Sequence, residues 1–427
     1  MLDIRAIRDN PTAVQQSLQA RGGDHWLLVD QVLACDERRR LAETAKQDLQ
    51  AARKRISKDI GRLKGQGQDT SAIETEVRAL NEQITTLDAA ADAAAAEQTT
   101  LLLNLPNLPH PACPLGSDEA ANPVVREWGT KPDLAAPKDH VELALQHRLI
   151  HWDDGIRIAG SGFVVYRGQG ARLERALINF LLDSQASNGY EEVNVPLLVK
   201  RECMEGTGQL PKFEDDMYGT DAGEEGVNHL FLAPTAEVPV TNLYRDTILS
   251  EPELPVRMVA YTPCFRREAG SAGRDNKGII RMHQFDKVEL VQIVHPDHGA
   301  EVLEQLTGHA ESVLQRLGLH YRVIELCTGD IGFSSAKTYD IEVWAPGHGK
   351  YLEVSSCSWF SDYQARRMKL RFKDAEGNNR FPHTLNGSGT ALPRLYVALL
   401  EQCQQADGSI RIPPALVPYF GADVISS

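Results

Sequence analysis

The sequence has 427 residues, enough for two or three domains, and it is 42% hydrophobic, 24% charged and 6% aromatic, as in ordinary globular proteins. No stretch approaches the roughly 18 apolar residues that a membrane helix needs, and the first residues form no apolar run, so we expect neither a membrane protein nor a secretory signal. The net charge of −14 argues against non-specific nucleic-acid binding by the whole chain, although cations can still cluster locally.

Residues 26–103 have the pattern of two long helices that pack against each other. In the second half, apolar or small residues from Ile73 to Leu101 recur in alternating steps of four and three, which is a heptad seam with polar Gln98 inside it. The first half repeats apolar residues every seven positions, at Leu49, Ile56 and Leu63. Between the halves, "KGQGQDTS" contains two glycines and three capping residues, so the sequence predicts an antiparallel coiled-coil hairpin.

The two halves of this predicted hairpin differ in charge. From Arg38 to Lys64 there are ten basic and three acidic residues, whereas Ile73 to Leu101 contains six acidic residues and one arginine. A solvated pair of helices with complementary faces and a basic arm that contacts a phosphate backbone explain this difference about equally well. Crowding of cations toward the tip favours the arm, and the candidate residues are Arg53, Lys54, Arg55, Lys58, Arg62 and Lys64.

A proline-rich stretch, "LLLNLPNLPHPACPLG", follows the hairpin and predicts a stiff connector. We therefore expect an N-terminal domain at 1–104, a linker at 105–120 and a larger domain at 121–427. In the larger domain the nearest strand candidates are joined by loops, which predicts an α+β fold whose sheet need not be parallel. The strand candidates are Val193–Val195, Val256–Tyr261, Val288–Val294, Tyr321–Leu326 and Tyr339–Val343, and the helix candidates are Gly170–Ala186, His298–Leu317 and Leu392–Gln404.

The stretch Phe265–Phe285, "FRREAGSAGRDNKGIIRMHQF", is basic and glycine-rich and lies between two strand-like runs. Alternation along a strand places Arg266 and Glu268 on one face, and an arginine at a strand end can fork onto a phosphate or a carboxylate. The chain lacks the G-x-x-x-x-G-K-[ST] phosphate loop, so a nucleotide would bind on a sheet. Taken alone, such a basic hairpin is more often a solvated loop.

Three apolar segments elsewhere carry polar residues. Leu230–Val240 contains Thr235 and Glu237, and Lys350–Phe360 contains Glu353, Ser355 and Ser356. Thr384–Gln402 has the pattern of a Gly/Ser turn followed by a helix that bears Arg394. Because buried polar groups are costly without partners, these segments and the arginine hairpin together predict the walls of one pocket.

These segments resemble, in order, the three signatures of class II aminoacyl-tRNA synthetases. "GYEEVNVP" is similar to motif 1, "CFRREAG" with "HQF" to motif 2, and "NGSGTALPRLYVALLE" to motif 3. The wording of "GTGQLPKF", "TAE", "TYDIEVWAPG", "SSCS" and "LNGSG" resembles the bacterial type of the seryl-tRNA synthetase family, as do the coiled-coil hairpin and "NLPNLPHP". The resemblance covers essentially the whole chain and implies a catalytic domain built on an antiparallel sheet flanked by helices.

The resemblance implies that the larger domain activates L-serine with ATP and transfers it to the 3′ end of tRNA(Ser), with tRNA(Sec) as a second substrate. The implied catalytic residues are Arg266, Glu268 and Arg394. The implied ATP contacts are Arg266, Arg267, Glu268, Phe285, Glu353, Val354, Ser355, Ser356 and Arg394. The implied serine contacts are Thr235, Ala236, Glu237, Arg266, Glu289, Asn386 and Ser388. Which glutamate takes the serine amine and which the hydroxyl stays open.

Mg²⁺ bound with ATP is the implied cofactor, and Glu353 and Ser356 would help to place it. Seven scattered cysteines without a C-x-x-C pair favour thiols in a reducing cytoplasm, and we expect no structural zinc. The resemblance further implies a cytoplasmic homodimer whose arm holds the long variable arm of the tRNA for the partner's active site. Arg274 and Lys277 would then face phosphates of ATP or of the tRNA.

Three positions depart from the family's usual wording. Arg267 stands where serine is common, Trp359 where asparagine is common, and Pro393 where glycine is frequent. All three neighbour implied contacts, so they bear on the geometry of the site. Rival functions are a ligase that loads a carrier protein, an antibiotic-resistant duplicate with the same reaction, and a non-catalytic RNA-binding protein on a synthetase scaffold.

Overall fold

The computed structural model describes residues 1–220, 230–269 and 277–426 and separates into two compact units. The N-terminal unit comprises Met1–Gln19 and Gly23–Pro106, and the C-terminal unit comprises Ala20–Gly22 and Asn107–Ser427. In the part of the chain that is described, no helix combines the length and the apolar character needed to cross a membrane.

The N-terminal unit is helical. Its helices are α1 (Ile4–Asp9), α2 (Pro11–Ala20), α3 (Leu28–Gly65) and α4 (Ser71–Leu103). The turn between α3 and α4 falls within the predicted segment: Gly67 adopts a φ of +72°, which favours glycine, and the Asp69 carboxylate accepts a 3.0 Å hydrogen bond from the Ser71 N–H.

Contacts between α3 and α4 show that the two helices run antiparallel. Three ion pairs of 2.7 Å link them: Arg38–Glu97, Lys46–Asp88 and Lys64–Glu74. Residue numbers rise along one helix as they fall along the other, so the predicted hairpin is confirmed. Exposed ion pairs contribute little free energy, whereas Ile84, Ala91 and Ala94 of the predicted seam are buried.

Gln98, the polar residue within the seam, has a buried partner. Its side-chain amide donates to the Asp36 carboxylate at 3.3 Å, and Arg8 and Arg39 donate to the same carboxylate at 3.0 and 3.1 Å. Burial alone would raise the pKa of Asp36, but the hydrogen bonds from Arg39, Gln98 and Arg8 outweigh it and lower the pKa. A polar seam position is therefore satisfied where α1, α3 and α4 meet.

The C-terminal unit mixes helices and strands. Its helices are α5 (His140–Gln146), α6 (Trp152–Ala159), α7 (Gln169–Ala186), α8 (Arg201–Thr207), α9 (Glu237–Thr241), α10 (Gly299–Leu317), α11 (Tyr363–Met368), α12 (Leu392–Gln402) and α13 (Val417–Phe420). Its strands are β1 (Val124–Trp128), β2 (Ile150–His151), β3 (Val165–Tyr166), β4 (Glu191–Glu192), β5 (Leu198–Lys200), β6 (Leu230–Leu232), β7 (Ile248–Ser250), β8 (Val256–Phe265), β9 (Gln284–Val294), β10 (Tyr321–Glu325), β11 (Lys337–Ala345), β12 (Lys350–Trp359), β13 (Arg371–Lys373), β14 (Asn379–Arg380), β15 (His383–Ala391), β16 (Ile410–Arg411) and β17 (Val424–Ile425).

An eight-stranded sheet in the order β1-β10-β11-β12-β15-β9-β8-β4 organises this unit. Every neighbouring pair in it is antiparallel except β4 and β8, which are parallel. Apolar residues of α7, α10 and α12, among them Phe180, Leu306 and Leu399, join the sheet in one buried core. The predicted α+β fold with an antiparallel sheet flanked by helices is confirmed.

One strand prediction and one turn prediction were wrong. Val193–Val195 is not a strand: the short strand lies just before it at Glu191–Glu192, although the Val193 N–H still donates to the Val259 carbonyl at 2.9 Å. The predicted Gly/Ser turn is strand β15, in which an added Cβ at Gly387 would overlap Leu306 of α10 and lie 2.9 Å from Cys357 Sγ. This glycine permits close packing rather than a turn.

Replacing Gly387 tests this interpretation. We expect Gly387→Ala to lower the free energy of unfolding by ~1–3 kcal/mol, because the added methyl must displace Leu306. Gly308 on α10 is the matched control: nothing lies within 4 Å of its added Cβ, so Gly308→Ala should raise stability by up to ~1 kcal/mol. Scanning calorimetry measures both changes, and equal stability of Gly387→Ala and the parent would contradict the packing role.

Candidate active site

A cavity of about 460 Å³ is lined by residues of strands β9, β12 and β15 and by residues that follow the end of β8. All four segments that the sequence analysis grouped into one pocket contribute to its wall. The predicted residues that line it are Thr235, Glu237, Arg266, Glu268, Phe285, Glu289, Glu353, Ser356, Asn386, Ser388 and Arg394.

Alternation along the strands explains why polar residues collect on one face. On β12, Ser356 and Ser358 line the cavity, whereas Cys357 between them is buried in the core. On β15, Asn386 and Ser388 line it, whereas Gly387 faces Leu306 of α10. Because successive side chains point to opposite faces of a strand, one face of the sheet packs into the apolar core. The other face carries the polar residues that line the cavity, and we call it the floor.

Arg266 and Phe285 meet at one part of the floor. Arg266 follows the end of β8, where its backbone N–H donates to the His283 carbonyl at 2.9 Å and its Nε donates to the Pro234 carbonyl at 3.2 Å. Its guanidinium lies 5.2 Å from the centre of the Phe285 ring, within cation–π range. A cation and an aromatic face are therefore available side by side.

Glu268 has an unusual backbone conformation for a residue with a side chain, with φ of +52°. Asp216 fixes this conformation from both sides, because its carbonyl accepts from the Arg267 N–H at 2.8 Å and its carboxylate accepts from the Ala269 N–H at 2.9 Å. The Glu268 carboxylate is ion-paired with Arg281, which also lines the cavity. The strained backbone aims this carboxylate inward.

Arg394 and Glu353 form a second charged pair at the cavity. Arg394 lies in the first turn of α12, and its Nη1 donates to the Glu353 carbonyl at 2.8 Å and to the Glu353 carboxylate at 3.0 Å. Its Nε donates to the Ile280 carbonyl at 3.3 Å. The guanidinium is thus held in place by three acceptors at the cavity wall.

Glu289 and Lys287 form a buried ion pair on β9. The Lys287 ammonium also donates to Thr235 Oγ1 at 2.7 Å, and the Ser388 hydroxyl lies 3.5 Å from the Glu289 carboxylate. Lys287 lines the cavity, yet the sequence analysis did not select it. Alternation was the signal that could have found it, because Phe285, Lys287 and Glu289 are spaced two apart on one strand.

Glu237, at the first position of α9, is a second buried carboxyl at the same end of the cavity. Gln364 donates to its Oε1 at 2.7 Å, and the Thr384 hydroxyl in turn donates to the Gln364 carbonyl oxygen at 2.7 Å. Burial, with a smaller contribution from the Glu289 charge, raises the pKa of Glu237 to about 7 against the opposing effect of the Gln364 hydrogen bond. With Lys287 paired to Glu289, Glu237 is the carboxyl best able to accept an additional cation.

Some residues with predicted roles lie elsewhere. Ala236 and Val354 are fully buried in the protein interior, and Arg267 is exposed. Ser355 is buried and its hydroxyl donates to the Ser388 carbonyl at 2.5 Å, so it supports a lining residue. Lys277 is ion-paired with Asp139, whose contact raises its pKa. Arg274 lies outside the described residues.

Two parts of the cavity wall have no predicted role. The segment "GTGQLPKF" resembles the family only in its wording, and four of its residues line the cavity: Thr207, Gly208, Gln209 and Phe213. A second unassigned part of the wall is Gly332–Ser335, before β11. Neither segment carries a charge pattern that would have marked it.

Comparison with known proteins places this geometry in a family. The model of the tRNA synthetase class II core domain (G, H, P, S and T) matches residues 218–403, and that of the seryl-tRNA synthetase N-terminal domain matches residues 1–109. The serine–tRNA ligase of Akkermansia muciniphila is 69% identical over 426 residues, covering 100% of this chain and 99% of the relative. The chain belongs to the seryl-tRNA synthetase family.

Further relatives agree with this assignment. The serine–tRNA ligase of Pelotomaculum thermopropionicum is 48% identical over 423 residues, which is 99% of each chain. The crystal structure of seryl-tRNA synthetase from Pyrococcus horikoshii complexed with ATP matches with a TM-score of 0.94 at 35% identity, covering 100% of this chain and 99% of that one. A prolyl-tRNA synthetase from Giardia lamblia, at 15% identity and a TM-score of 0.57 over 67% of this chain and 58% of its own, shares the fold.

Two of the three departures from the wording of the seryl-tRNA synthetase family lie away from the cavity lining. Trp359 is buried on the core side of β12, where its Nε1 donates to His383 Nδ1 at 3.2 Å and an added Cβ on Gly299 of α10 would lie 2.5 Å from its ring. Arg267 is exposed. Pro393 lines the cavity beside Arg394, so of these departures it is the one in contact with the site.

Removing the buried lysine of this synthetase tests the charge arrangement at the floor. We expect Lys287→Met to lower the free energy of unfolding by ~3 kcal/mol, because it leaves Glu289 buried without its cation. Adding Glu289→Gln should recover most of this loss. Denaturant unfolding of the single and double variants gives the coupling energy. Additive effects of the two substitutions would show that the pair does not interact.

Proposed function

We propose that this protein is an ATP-dependent serine–tRNA ligase that forms seryl-adenylate from L-serine and ATP and then transfers serine to the 3′ end of tRNA(Ser). The observation that carries the proposal is the convergence of two charge environments in one cavity. One part offers Arg266, Arg394 and Phe285, and the other offers the buried carboxyls of Glu237 and Glu289. Phosphates suit the first part, and a zwitterionic amino acid suits the boundary between the two parts.

For ATP, Arg266 would hold the α-phosphate and Arg394 the γ-phosphate, since guanidinium groups fork onto phosphate oxygens. Phe285 would offer its face to the adenine ring, and Glu268 would accept from the adenine amino group. Val354 and Ser355 lie on β12 between Glu353 and Ser356, and we assign them a positioning role. The exposed Arg267 would contribute from the rim.

Mg²⁺ would accompany the phosphates. Glu353 and Ser356 both line the cavity on β12 and supply a carboxylate and a hydroxyl, which are the oxygen donors that Mg²⁺ accepts beside phosphates and water. The Glu353 carboxylate is 43% exposed and paired with Arg394, so it is available beside the phosphate-binding arginine. The ion would neutralise charge on the phosphates.

Adenylate formation asks little of acid–base catalysis, because the carboxylate of serine is already a nucleophile. The chain would contribute alignment of that carboxylate with the α-phosphate and neutralisation of the charge that develops there. Arg266 would serve both tasks, and this role is supported by its position beside the Phe285 ring in the cavity that Glu289 also lines.

For serine, we propose that Glu237 receives the ammonium group and that Glu289, with Ser388, receives the hydroxyl. Glu289 already has Lys287 as its cation, whereas the pKa of Glu237 is raised to about 7 by burial and falls when a cation arrives. Thr235 and Asn386 complete the polar wall, and Ala236 lies beneath it in the core. The ammonium group and the hydroxyl of serine would then each have a polar partner in the cavity.

The decisive experiment is serine-dependent exchange between ATP and pyrophosphate, followed by charging of tRNA(Ser). We expect both activities with serine. Alanine should react on the order of 10⁴-fold less well, because it leaves the hydroxyl-binding groups unpaired, and threonine should be excluded by size. Comparable exchange rates with serine and threonine would refute direct discrimination.

The same two assays separate the rival functions. Absence of exchange would favour a non-catalytic scaffold, and exchange without tRNA charging would favour a carrier-protein ligase. An antibiotic-resistant duplicate would show both activities and would differ in inhibition by serine mimics.

For tRNA, we propose that the α3–α4 hairpin binds the long variable arm of tRNA(Ser), with tRNA(Sec) as a second substrate. Lys54, Arg55 and Lys58 are exposed and have no acidic partner among the described residues. The other predicted contacts are engaged within the hairpin, Arg53 with Asn81, Arg62 with Asp59 and Lys64 with Glu74. The enzyme would act in the cytoplasm as a homodimer, with the arm serving the partner's active site.

Two sets of variants test the arm. Deleting residues 35–97 should spare adenylate formation and abolish tRNA charging. Reversing the three available cations, in Lys54→Glu, Arg55→Glu and Lys58→Glu together, should lower kcat/KM for tRNA roughly 100-fold through lost phosphate contacts. The control is Arg78→Glu on the acidic helix, which should charge tRNA normally. Retained charging by the deletion variant would refute the assignment.

A further inference from the structure

A buried hydrogen-bond network outside the cavity contacts the segment 277–280, two residues of which line the cavity. Its members are His140, the first residue of α5, His348, between β11 and β12, and Glu401, near the end of α12. His140 and Glu401 are completely buried. None of the three lines the cavity.

The carboxylate of Glu401 is the centre of the network. Its Oε1 accepts from the His140 N–H at 2.9 Å and lies 3.2 Å from His140 Nδ1 and 3.3 Å from His348 Nδ1. Its Oε2 accepts from the Gly347 N–H at 2.8 Å and the His348 N–H at 3.3 Å. The ligand atoms of the three side chains lie within 4.8 Å, but both oxygens already accept backbone hydrogens, so we interpret the cluster as an anchor and not as a metal site.

The second nitrogen of His140 extends this anchor to the segment 277–280. The Ile279 N–H donates to His140 Nε2 at 3.3 Å, so the ring must carry its proton on Nδ1 and donate it to Glu401. Gly278 has a φ of +65°, and a Cβ added there would overlap His140 Nε2. Lys277 is paired with Asp139, the residue before His140.

The anchored segment continues directly into the proposed ATP site. The Ile280 carbonyl accepts from Arg394 Nε at 3.3 Å, and Arg281 is ion-paired with Glu268. Ile279, Ile280 and Arg281 all line the cavity. Residues 277–281 are thus tied to both ends of α12: through His140 to Glu401 at one end, and directly to Arg394 at the other.

We propose that His140 and Glu401 are positioning residues for ATP, which they serve by fixing the 277–281 segment against α12. The inference rests on the proposed function only in taking this cavity as the ATP site. Loss of the anchor would let Ile280 and Arg281 shift, so that Arg394 would lose one of its three acceptors, the Ile280 carbonyl, and Glu268 would lose its ion pair with Arg281. Among the described residues, Glu237, Lys287 and Glu289 at the serine end share no hydrogen bond or ion pair with His140 or Glu401, so the affinity for serine should be kept.

Two substitutions of His140 separate its two hydrogen bonds. His140→Asn keeps a donor near the Nδ1 position for Glu401 and loses the acceptor for the Ile279 N–H, whereas His140→Gln places an amide oxygen near the Nε2 position and can still accept. In serine-dependent pyrophosphate exchange without tRNA, we expect His140→Asn to raise KM for ATP about ten-fold, as an unpaired buried N–H predicts. KM for serine should change less than two-fold, and His140→Gln should restore most of the affinity for ATP.

A glycine pair provides a second test, in which the side chains of the network keep their identity. Gly278→Ala pushes against His140, whereas Gly377→Ala adds a methyl with nothing within 4 Å at a turn that also has a positive φ, of +85°. Both variants carry the strain of a left-handed backbone, so a difference between them reports the contact with His140. We expect a higher KM for ATP in Gly278→Ala and parental kinetics in Gly377→Ala.

The outcomes are distinct. Parental KM values for ATP in both folded His140→Asn and Gly278→Ala would overturn the inference, and so would equal increases for ATP and serine. If His140→Asn does not fold, the glycine pair decides alone. If the parent protein shows no serine-dependent exchange, the proposed function fails, and calorimetric titration of the same variants with ATP then tests the anchor by itself.

Discussion

A buried charge must be paired, and the C-terminal unit meets this requirement with two carboxyls and one lysine on the floor of its cavity. Lys287 neutralises Glu289, and burial raises the pKa of Glu237 to about 7, which disfavours an uncompensated negative charge beside that pair. Under the proposed function, a molecule that brings its own ammonium group would replace the proton on Glu237 with a cation. The site would then favour a zwitterion over a neutral or anionic molecule, and this preference would come from the protein interior and not from surface charge.

The period-two geometry of the sheet makes this arrangement possible. The same strands supply Cys357 and Gly387 to the core under α10 and Ser356, Asn386 and Ser388 to the cavity. Helix packing on one face holds the strands rigid, so short polar side chains on the other face keep their spacing. The acidic chain can then concentrate Arg266, Arg281 and Arg394 at one edge of that floor, each with an acceptor that fixes its direction.

Local sequence signals were sufficient for the hairpin, the α+β class and most of the cavity wall. Heptad spacing marked α3 and α4, and polar residues within apolar runs marked Thr235, Glu237 and Glu353. Lys287 shared its strand face with two selected residues and could have been found by alternation. Gly387 was misjudged because the closeness of Leu306, which decides its role, comes from a helix about 80 residues away in the chain. His140 and Glu401 gave no signal, since only the packing of α5 against α12 buries them.

Helix α12 sets the distance between the cavity, which Arg394 lines, and the buried network centred on Glu401. Arg394 and Glu401 are separated by seven residues, which is close to two turns, so their side chains leave the helix in nearly the same direction about 10 Å apart. Loss or gain of one residue between them would turn one end by about 100° relative to the other and detach the segment that both ends hold. A change in the length of this helix would therefore disturb both of its ends at once, whereas a substitution at one position acts on one end.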